Sequence, residues 1–271
     1  MAISIDGSIL ECGELLQPLR PDAEILLVPP LGGGASEGSP VEALLFDVFG
    51  TVVDWRSSII REGEALEATG VDWGAFADAW RGRYQPSMEE IRTGRRPFVT
   101  LDVLHRENLE AVLDEFGVRG LDARAVDDLN RAWHRLDPWP DAVEGIARLR
   151  TRHIVAPQSN GNVSLMVDLA RHGGLTWDAI LGAEVVGHYK PAPESYRGAV
   201  RLLDLPPERC MMVAAHPGDL RAAHKATGMR TAYVHRPAEY GPGPERPRPD
   251  AGEFDFVAED LMDLASQLGC P

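Results

Sequence analysis

Cysteine is scarce in this sequence, and long apolar runs are missing. The 271 residues include three cysteines, Cys12, Cys210 and Cys270, without a CxxC pair or a cysteine–histidine cluster. This pattern argues against a disulfide framework and a zinc site, and it favours a reducing cytoplasm. No apolar run approaches the ~20 residues of a membrane-spanning helix, and the opening "MAISIDGSILECGELL" lacks the basic start and apolar stretch of a signal peptide. We therefore expect a soluble cytoplasmic protein without a membrane partner.

Basic residues are few relative to acidic ones. The sequence has 27 Lys and Arg against 42 Asp and Glu, which gives a net charge of -15 and a pI of about 4.9. Because this field repels phosphate backbones and anionic lipids, nonspecific binding to nucleic acid or membrane is not expected. A small anion would need local cations for binding. The length allows one sizeable α/β domain or a core domain with a smaller inserted domain.

Short apolar segments alternate with helical patterns through most of the chain. The apolar segments are 41–47, 153–160, 179–187, 210–219 and 230–237, and the helical patterns between them are 141–152, 162–174, 194–205 and 219–229. This rhythm predicts an α/β fold with a doubly wound parallel sheet that helices cover on both faces. Ligands of such sheets bind where loops leave the carboxyl ends of the strands. The polar residues at these ends are Asp47, Ser159, Asn160, His216 and Asp219.

Two segments interrupt this alternation. Residues 57–136 carry four helical patterns and no convincing strand. We predict that they form a helical cap domain, inserted into a core domain of residues 41–56 and 137–271, which covers the strand ends as a lid. Residues 1–40 end in "PPLGGGASEGSP", a composition that predicts an N-terminal extension or linker.

Four motifs follow one another at the predicted strand ends. They are "FDVFGTVVD" with Asp47 and Thr51, "SNG" from Ser159, "YKPAPESY" with Lys190, and "VAAHPGD" ending in Asp219. Together they resemble the four motifs of the haloacid dehalogenase (HAD) superfamily over roughly residues 41 to 240. Four motifs in order are far more specific than one. The resemblance implies a HAD-like Rossmannoid core with an inserted cap.

Two positions differ from the phosphatases of that superfamily. Phosphatases resemble DxDx(T/V), in which the second Asp protonates the leaving alkoxide, and Phe49 stands at that position. They also carry a magnesium-binding carboxylate four residues before the last Asp, where this chain has Ala215. A halide departs without a proton, and a substrate with one carboxylate carries less charge than a phosphate dianion. The chain therefore resembles the type II 2-haloacid dehalogenase branch, with no metal and no cofactor.

The resemblance implies a covalent mechanism and assigns catalytic roles. Asp47 attacks the halogen-bearing carbon and forms an ester, which water then hydrolyses. Lys190 keeps Asp47 ionised and stabilises the ester oxygens, while Asp219 orients or deprotonates the water. Thr51 and Ser159 hydrogen-bond either the nucleophile or the substrate carboxylate.

Contacts with the halide and the substrate follow from the same resemblance. Arg81, in "AWRGRY", is expected to meet the departing halide together with Asn160. Arg83 lies two residues further along the same helical pattern, points elsewhere and is ranked second. Tyr196 is expected near the catalytic lysine, and Phe49 is expected to form an apolar wall around the reacting carbon.

The last motif departs from the branch. Ser-Ser-Asn is the more typical sequence where this chain reads Ala214, Ala215 and His216, and an aromatic residue is more typical where Gly218 stands. An imidazole at His216 is expected to donate a hydrogen bond to the leaving halide, which would help most with fluoride. Defluorination of a small 2-fluoroacid is therefore a further hypothesis. Trp55 and the other tryptophans are expected to pack in the interior.

The sequence thus predicts a hydrolase that acts on carbon–halide bonds. Its expected substrates are short, small anionic 2-haloalkanoic acids, either S-2-haloacids or haloacetates, and the products are 2-hydroxy acids. A homodimer is expected by analogy with the family. One alternative is another HAD hydrolase activity, a phosphatase or a strained-ring hydrolase. The other is a noncatalytic HAD-fold binding protein, against which the retained Asp47, Lys190 and Asp219 speak.

Overall fold

The chain divides into two compact units, Met1–Ser39 and Pro40–Pro271. The computed structural model describes the backbone of residues 2–5, 8–9 and 25–28 and the whole of residues 41–66, 68–243 and 247–271. In the first unit, β1 (Ala2–Ile5) pairs antiparallel with β2 (Ser8–Ile9) and with β3 (Ile25–Val28). This small sheet was not predicted. The Pro/Gly/Ser run 29–40, which predicted a linker, lies outside the described residues.

The second unit alternates strands and helices. In chain order its elements are β4 (Ala43–Phe46), β5 (Val53–Asp54), α1 (Trp55–Glu64), α2 (Trp73–Gly82), α3 (Tyr84–Arg92), α4 (Leu101–Glu115), α5 (Ala123–Asn130), β6 (Asp137–Pro138), α6 (Ala142–Arg150), β7 (Ile154–Ser159), α7 (Val163–Gly173), β8 (Leu181–Gly182), α8 (Ala183–Val186), α9 (Pro193–Leu203), β9 (Cys210–Ala214), α10 (Pro217–Thr227), β10 (Arg230–Val234), β11 (Phe256–Ala258) and α11 (Leu261–Gln267).

Six of these strands form one parallel sheet in the order β11-β10-β9-β4-β7-β8. Successive side chains of β4 point to opposite faces, and all are buried. Leu44 and Phe46 pack with α6, α7 and α11, whereas Ala43 and Leu45 pack with α9 and α10. Both faces are therefore covered, which explains the continuous apolar sequence of the strand. The predicted doubly wound α/β sheet is confirmed.

Helices α1 to α5 lie between β5 and β6, which pair with each other antiparallel. The carboxylates of Asp54 and Asp72 accept hydrogen bonds from the first turns of α1 and α2, so each helix begins at an N-cap. The described residues from Trp55 to His134 contain helices and turns but no strand. The pattern 73–92 forms two helices that meet at Arg83, not one.

Two predicted strands are shorter than expected. Only Leu181–Gly182 of the segment 179–187 is a strand, because Gly182 and Gly187 have φ values of 139° and 74° that interrupt extended backbone on both sides of α8. The segment 210–219 is extended only as far as Ala214, so Asp219 lies in the first turn of α10. No helix in the described part of the chain is long and apolar enough to cross a membrane.

Candidate active site

A cavity of about 750 Å³ lies at the carboxyl end of β4. β4 has β7 on one side and β9 on the other, so the cavity lies where the strand order reverses, the usual ligand position in such sheets. Helices α2 and α3 form the facing wall. Seven of the ten predicted site residues line the cavity: Asp47, Phe49, Arg81, Asn160, Lys190, His216 and Asp219.

Lys190 joins two carboxylates at the floor of the cavity. Its Nζ donates to Asp47 Oδ1 at 2.8 Å and to Asp219 Oδ2 at 2.5 Å. The hydroxyl of Tyr196 donates to the other oxygen of Asp219, also at 2.5 Å, from behind the cavity. Because Asp47 and Lys190 are 7% and 6% exposed, solvent provides little compensation for their charges. The ammonium is therefore the main cation that stabilises the negative charge of Asp47.

Asp47 and Lys190 both remain charged across the neutral pH range. Burial alone would raise the pKa of Asp47, but Lys190 and His216 outweigh burial and hold that pKa well below its ordinary value. Burial would likewise lower the pKa of Lys190, but Asp219 and Asp47 raise it above its ordinary value. A carboxylate is thus available as a nucleophile at neutral pH.

The second oxygen of Asp47 has its own donors. Oδ2 accepts a hydrogen bond from Thr51 Oγ1 at 2.9 Å and lies 2.9 Å from His216 Nδ1. Thr51 accepts in turn from the backbone N–H of Ala215, also at 2.9 Å. Asp47 therefore has one defined rotamer, with both oxygens oriented by side chains from three segments of the chain.

His216 connects Asp47 to a carboxylate that the sequence analysis did not identify. Its Nε2 lies 2.9 Å from Glu239 Oε1, and Glu239 is only 2% exposed. Burial lowers the pKa of His216, but Asp47 and Glu239 outweigh it and raise the pKa to about 10. Both ring N–H groups of the imidazolium are engaged by carboxylates. This arrangement leaves no N–H of His216 for a leaving halide, in contrast to the role expected from the sequence.

Glu239 fits beside the loop that follows β4 because that loop contains a glycine, Gly50. Gly50 has a φ of 86°, and a Cβ added there would lie 2.2 Å from Glu239 Oε1. Trp55 Nε1 donates to the same oxygen at 3.3 Å. The only sequence signal for Glu239 is an acidic residue shortly after the apolar segment 230–237.

Arg81 contributes a positive charge to the cavity and forms no ion pair within the part of the chain that the structure describes. Its guanidinium carbon lies 4.2 Å from the ring centroid of Tyr84, 5.5 Å from that of Trp55 and 5.9 Å from that of Phe49. Its Nη1 is buried without a hydrogen-bond partner among the described residues. A buried guanidinium N–H without an acceptor is costly, so this position is suited to an anion. Arg83 instead pairs with Glu115 at 2.6 Å.

The remaining predicted residues lie behind the cavity or at its edge. Asn160 Oδ1 accepts from the backbone N–H of Lys190 at 2.8 Å. The buried hydroxyl of Ser159 accepts from Gly161 N at 3.1 Å and does not line the cavity. Trp55 lines the cavity besides packing in the core, and Tyr84 and Tyr240, which had no predicted role, also line it.

The chain is similar to known dehalogenases along most of its length. A family model described as haloacid dehalogenase-like hydrolase matches residues 41–227. (S)-2-haloacid dehalogenase 1 from Pseudomonas sp. (strain CBS-3) is 28% identical over an alignment of 216 residues that covers 76% of this chain and 91% of that protein.

Solved structures extend this similarity. The crystal structure of a defluorinating L-2-haloacid dehalogenase is 48% identical with a TM-score of 0.81, covering 85% of this chain and 96% of that one. The L-2-haloacid dehalogenase from Xanthobacter autotrophicus with chloropropionic acid covalently bound is 25% identical with a TM-score of 0.71, covering 84% and 98%. The chain therefore belongs to the haloacid dehalogenase-like hydrolases and, within them, to the L-2-haloacid dehalogenases.

Proposed function

We propose that the protein hydrolyses short 2-haloalkanoic acids, S-2-haloacids or haloacetates, to 2-hydroxy acids through an ester at Asp47. One observation carries the proposal. The cavity combines an ionised, oriented carboxylate with the unpartnered Nη1 of Arg81, so a nucleophile and an anion receptor line the same space. The similar dehalogenases, one of them with chloropropionic acid covalently bound, support the same chemistry.

In the first step, an oxygen of Asp47 attacks the second carbon of the substrate, and the carbon–halogen bond breaks. The halide leaves with the bonding electron pair and needs no proton, consistent with the apolar Phe49 beside the nucleophile. Arg81, together with Asn160, stabilises the charge that develops on the halide. Holding the reactants in line contributes up to ~7–11 kcal/mol to the lowering of the barrier.

In the second step, water attacks Cγ of the ester, and the 2-hydroxy acid leaves with the former carboxylate oxygen. Two groups are candidates for the base that accepts the water proton. Asp219 is held by Lys190 and Tyr196. His216 is the other candidate, because esterification removes the negative charge of Asp47 and so lowers the pKa of the imidazolium, leaving Glu239 as its remaining carboxylate partner.

Substitution of Glu239 by Gln is expected to shift the alkaline limb of the kcat/KM profile to lower pH. The pKa of His216 is raised to about 10, so its charge is complete below its ordinary pKa and is lost as pH rises through about 10. Without the Glu239 carboxylate, the imidazolium loses its proton at lower pH. The measurement is halide release against pH. Glu253→Gln, which affects a carboxylate paired with Arg221, is the control. An unchanged alkaline limb in Glu239→Gln would contradict this role.

We propose that no metal or cofactor takes part. Asp47 and Asp219 share the ammonium of Lys190, and Ala215, whose backbone N–H donates to Thr51 beside Asp47, contributes no side-chain oxygen as a further metal ligand. Halide release from chloroacetate and 2-chloropropionate is expected to persist in EDTA. If EDTA abolishes turnover and magnesium restores it, the phosphatase alternative gains support and the interpretation of Phe49 and Ala215 is wrong.

Residues 57–136 are proposed to act as the cap of a core formed by residues 41–56 and 137–271. Two observations support this division. The helical segment contributes Arg81 and Tyr84 to a cavity whose nucleophile follows a core strand. The antiparallel pairing of β5 with β6 also brings together the two places where the chain enters and leaves this helical segment. A cap in this position would exclude bulk water from the ester.

Fluoroacetate is a second candidate substrate within this function. The 48% identity of this chain to a defluorinating L-2-haloacid dehalogenase supports this candidate. Since carboxylates engage both N–H groups of His216, binding of the departing fluoride would fall to Arg81. Fluoride release from fluoroacetate, measured with an ion-selective electrode, tests the idea. The Arg81→Met variant is expected to release no fluoride.

A cytoplasmic location and a homodimer complete the proposal. The cysteines Cys210 and Cys270 are buried free thiols, as expected in a reducing compartment. The homodimer is proposed from the family resemblance, and light scattering of the purified protein tests it.

A further inference from the structure

Two glycines border the mouth of the active-site cavity. Gly82 ends α2, and Gly218 lies in the first turn of α10 on the opposite side. Both line the cavity and are exposed, and a Cβ added at either would meet no atom within 4 Å. Neither has the left-handed backbone that favours glycine. The space at the mouth therefore results from two missing side chains and not from backbone geometry.

The cavity is larger than a haloacetate requires. Its volume of about 750 Å³ falls in the range of ~300–1,000 Å³ that holds drug-sized ligands. Away from the charged floor, the wall includes four aromatic side chains beside the polar residues Asp78 and Gln85. Trp55 and Tyr84 line the cavity and are otherwise buried, and Tyr240 at the rim is 37% exposed. An apolar group in this region would exchange water for aromatic contacts.

We propose that the substrates include 2-haloacids whose second carbon carries a longer alkyl chain or an aryl ring, and that Gly218 and Gly82 provide the space for that group. The inference rests on the proposed function. Asp47 fixes the reacting carbon at the floor and Arg81, on the facing wall, fixes the halide, so the substituent is the part of the substrate free to extend toward the mouth. Each buried methylene is then expected to raise kcat/KM by up to about fourfold, equivalent to ~0.8 kcal/mol.

The test measures kcat/KM for halide release from chloroacids of increasing size: the achiral chloroacetate and the racemates of 2-chloropropionate, 2-chlorobutyrate, 2-chlorohexanoate and 2-chloro-2-phenylacetate. In the wild-type enzyme we expect kcat/KM to rise from 2-chloropropionate to 2-chlorohexanoate. Gly218→Phe and Gly82→Phe are each expected to lower the hexanoate-to-chloroacetate ratio by at least about tenfold. Gly218→Ala gives a smaller decrease. Gly243→Phe, at an exposed glycine with equal space that does not line the cavity, leaves the ratio unchanged.

Each other outcome contradicts a defined part of the proposal. If the wild-type enzyme turns over chloroacetate but kcat/KM falls steadily with chain length, the broad substrate range is overturned and the proposed function stands. If the ratio is the same in both cavity phenylalanine variants as in wild type, the two glycines do not set the range. If no chloroacid, including chloroacetate, releases halide, the proposed function fails together with the inference.

Discussion

Substitution of Asp47 by Asn is expected to reduce halide release by a factor on the order of 10⁴ or more, because the amide has no ionised oxygen to form the ester. The fold should persist, since an amide oxygen can still accept from Thr51 and Lys190 keeps Asp219 as a partner. Initial rates of chloride release measure the effect. Asp54→Asn neutralises a nearby carboxylate that caps α1 and should retain full activity. Turnover by Asp47→Asn within about tenfold of wild type would remove Asp47 from the mechanism.

Substitution of Lys190 by Met should impair both activity and stability. The variant leaves two buried carboxylates, Asp47 and Asp219, without the ammonium they share. Removing one partner of a buried ion pair typically costs about 3–5 kcal/mol of unfolding free energy. The pKa of one carboxyl group then rises, so kcat falls and the acidic limb of the kcat/KM profile moves to higher pH.

The sign of this effect can be checked by unfolding in urea. In the wild type the pKa of Asp47 is depressed, so its contribution to stability is present above its ordinary pKa and is lost only as pH falls through the depressed value. The destabilisation in Lys190→Met should therefore be largest at neutral pH and smaller in acid, where the carboxyl groups are protonated. Lys225→Met, at the exposed second lysine of the sequence, is the control. Equal destabilisation of Lys190→Met at neutral and at acidic pH would argue against a charge effect.

The sequence was sufficient for the parallel sheet and for several residues that line the cavity. Asp47 and Asn160 follow β4 and β7 in recognisable motifs, and parallel strands bring their carboxyl ends to one edge whatever the details of packing. Lys190 was recognised from its motif alone, because it follows α8 and not a strand end. The short strand at Leu181–Gly182 could not be predicted, because nothing in its apolar sequence shows that flanking glycines turn the chain into α8.

Glu239 illustrates what the sequence alone could not supply. Its contact with His216 depends on the path of the loop after β10 and on the space left at Gly50. No motif encodes this combination. The aromatic contacts of Arg81 could not be predicted for a similar reason. Tyr84 lies on the next helix and Trp55 on an earlier one, and only tertiary packing brings their rings to the guanidinium.

The most direct test of the account follows the oxygen atoms. During many turnovers of chloroacetate in ¹⁸O-labelled water, each hydrolysis of the ester should leave a solvent oxygen in the carboxylate of Asp47, while Asp54 in the same stretch of sequence stays unlabelled. Mass spectrometry of a peptide that contains both residues reads the result. Label in Asp47 that depends on substrate is the outcome predicted here. Label in the glycolate after a single turnover, with none in Asp47 after many turnovers, would contradict the ester mechanism.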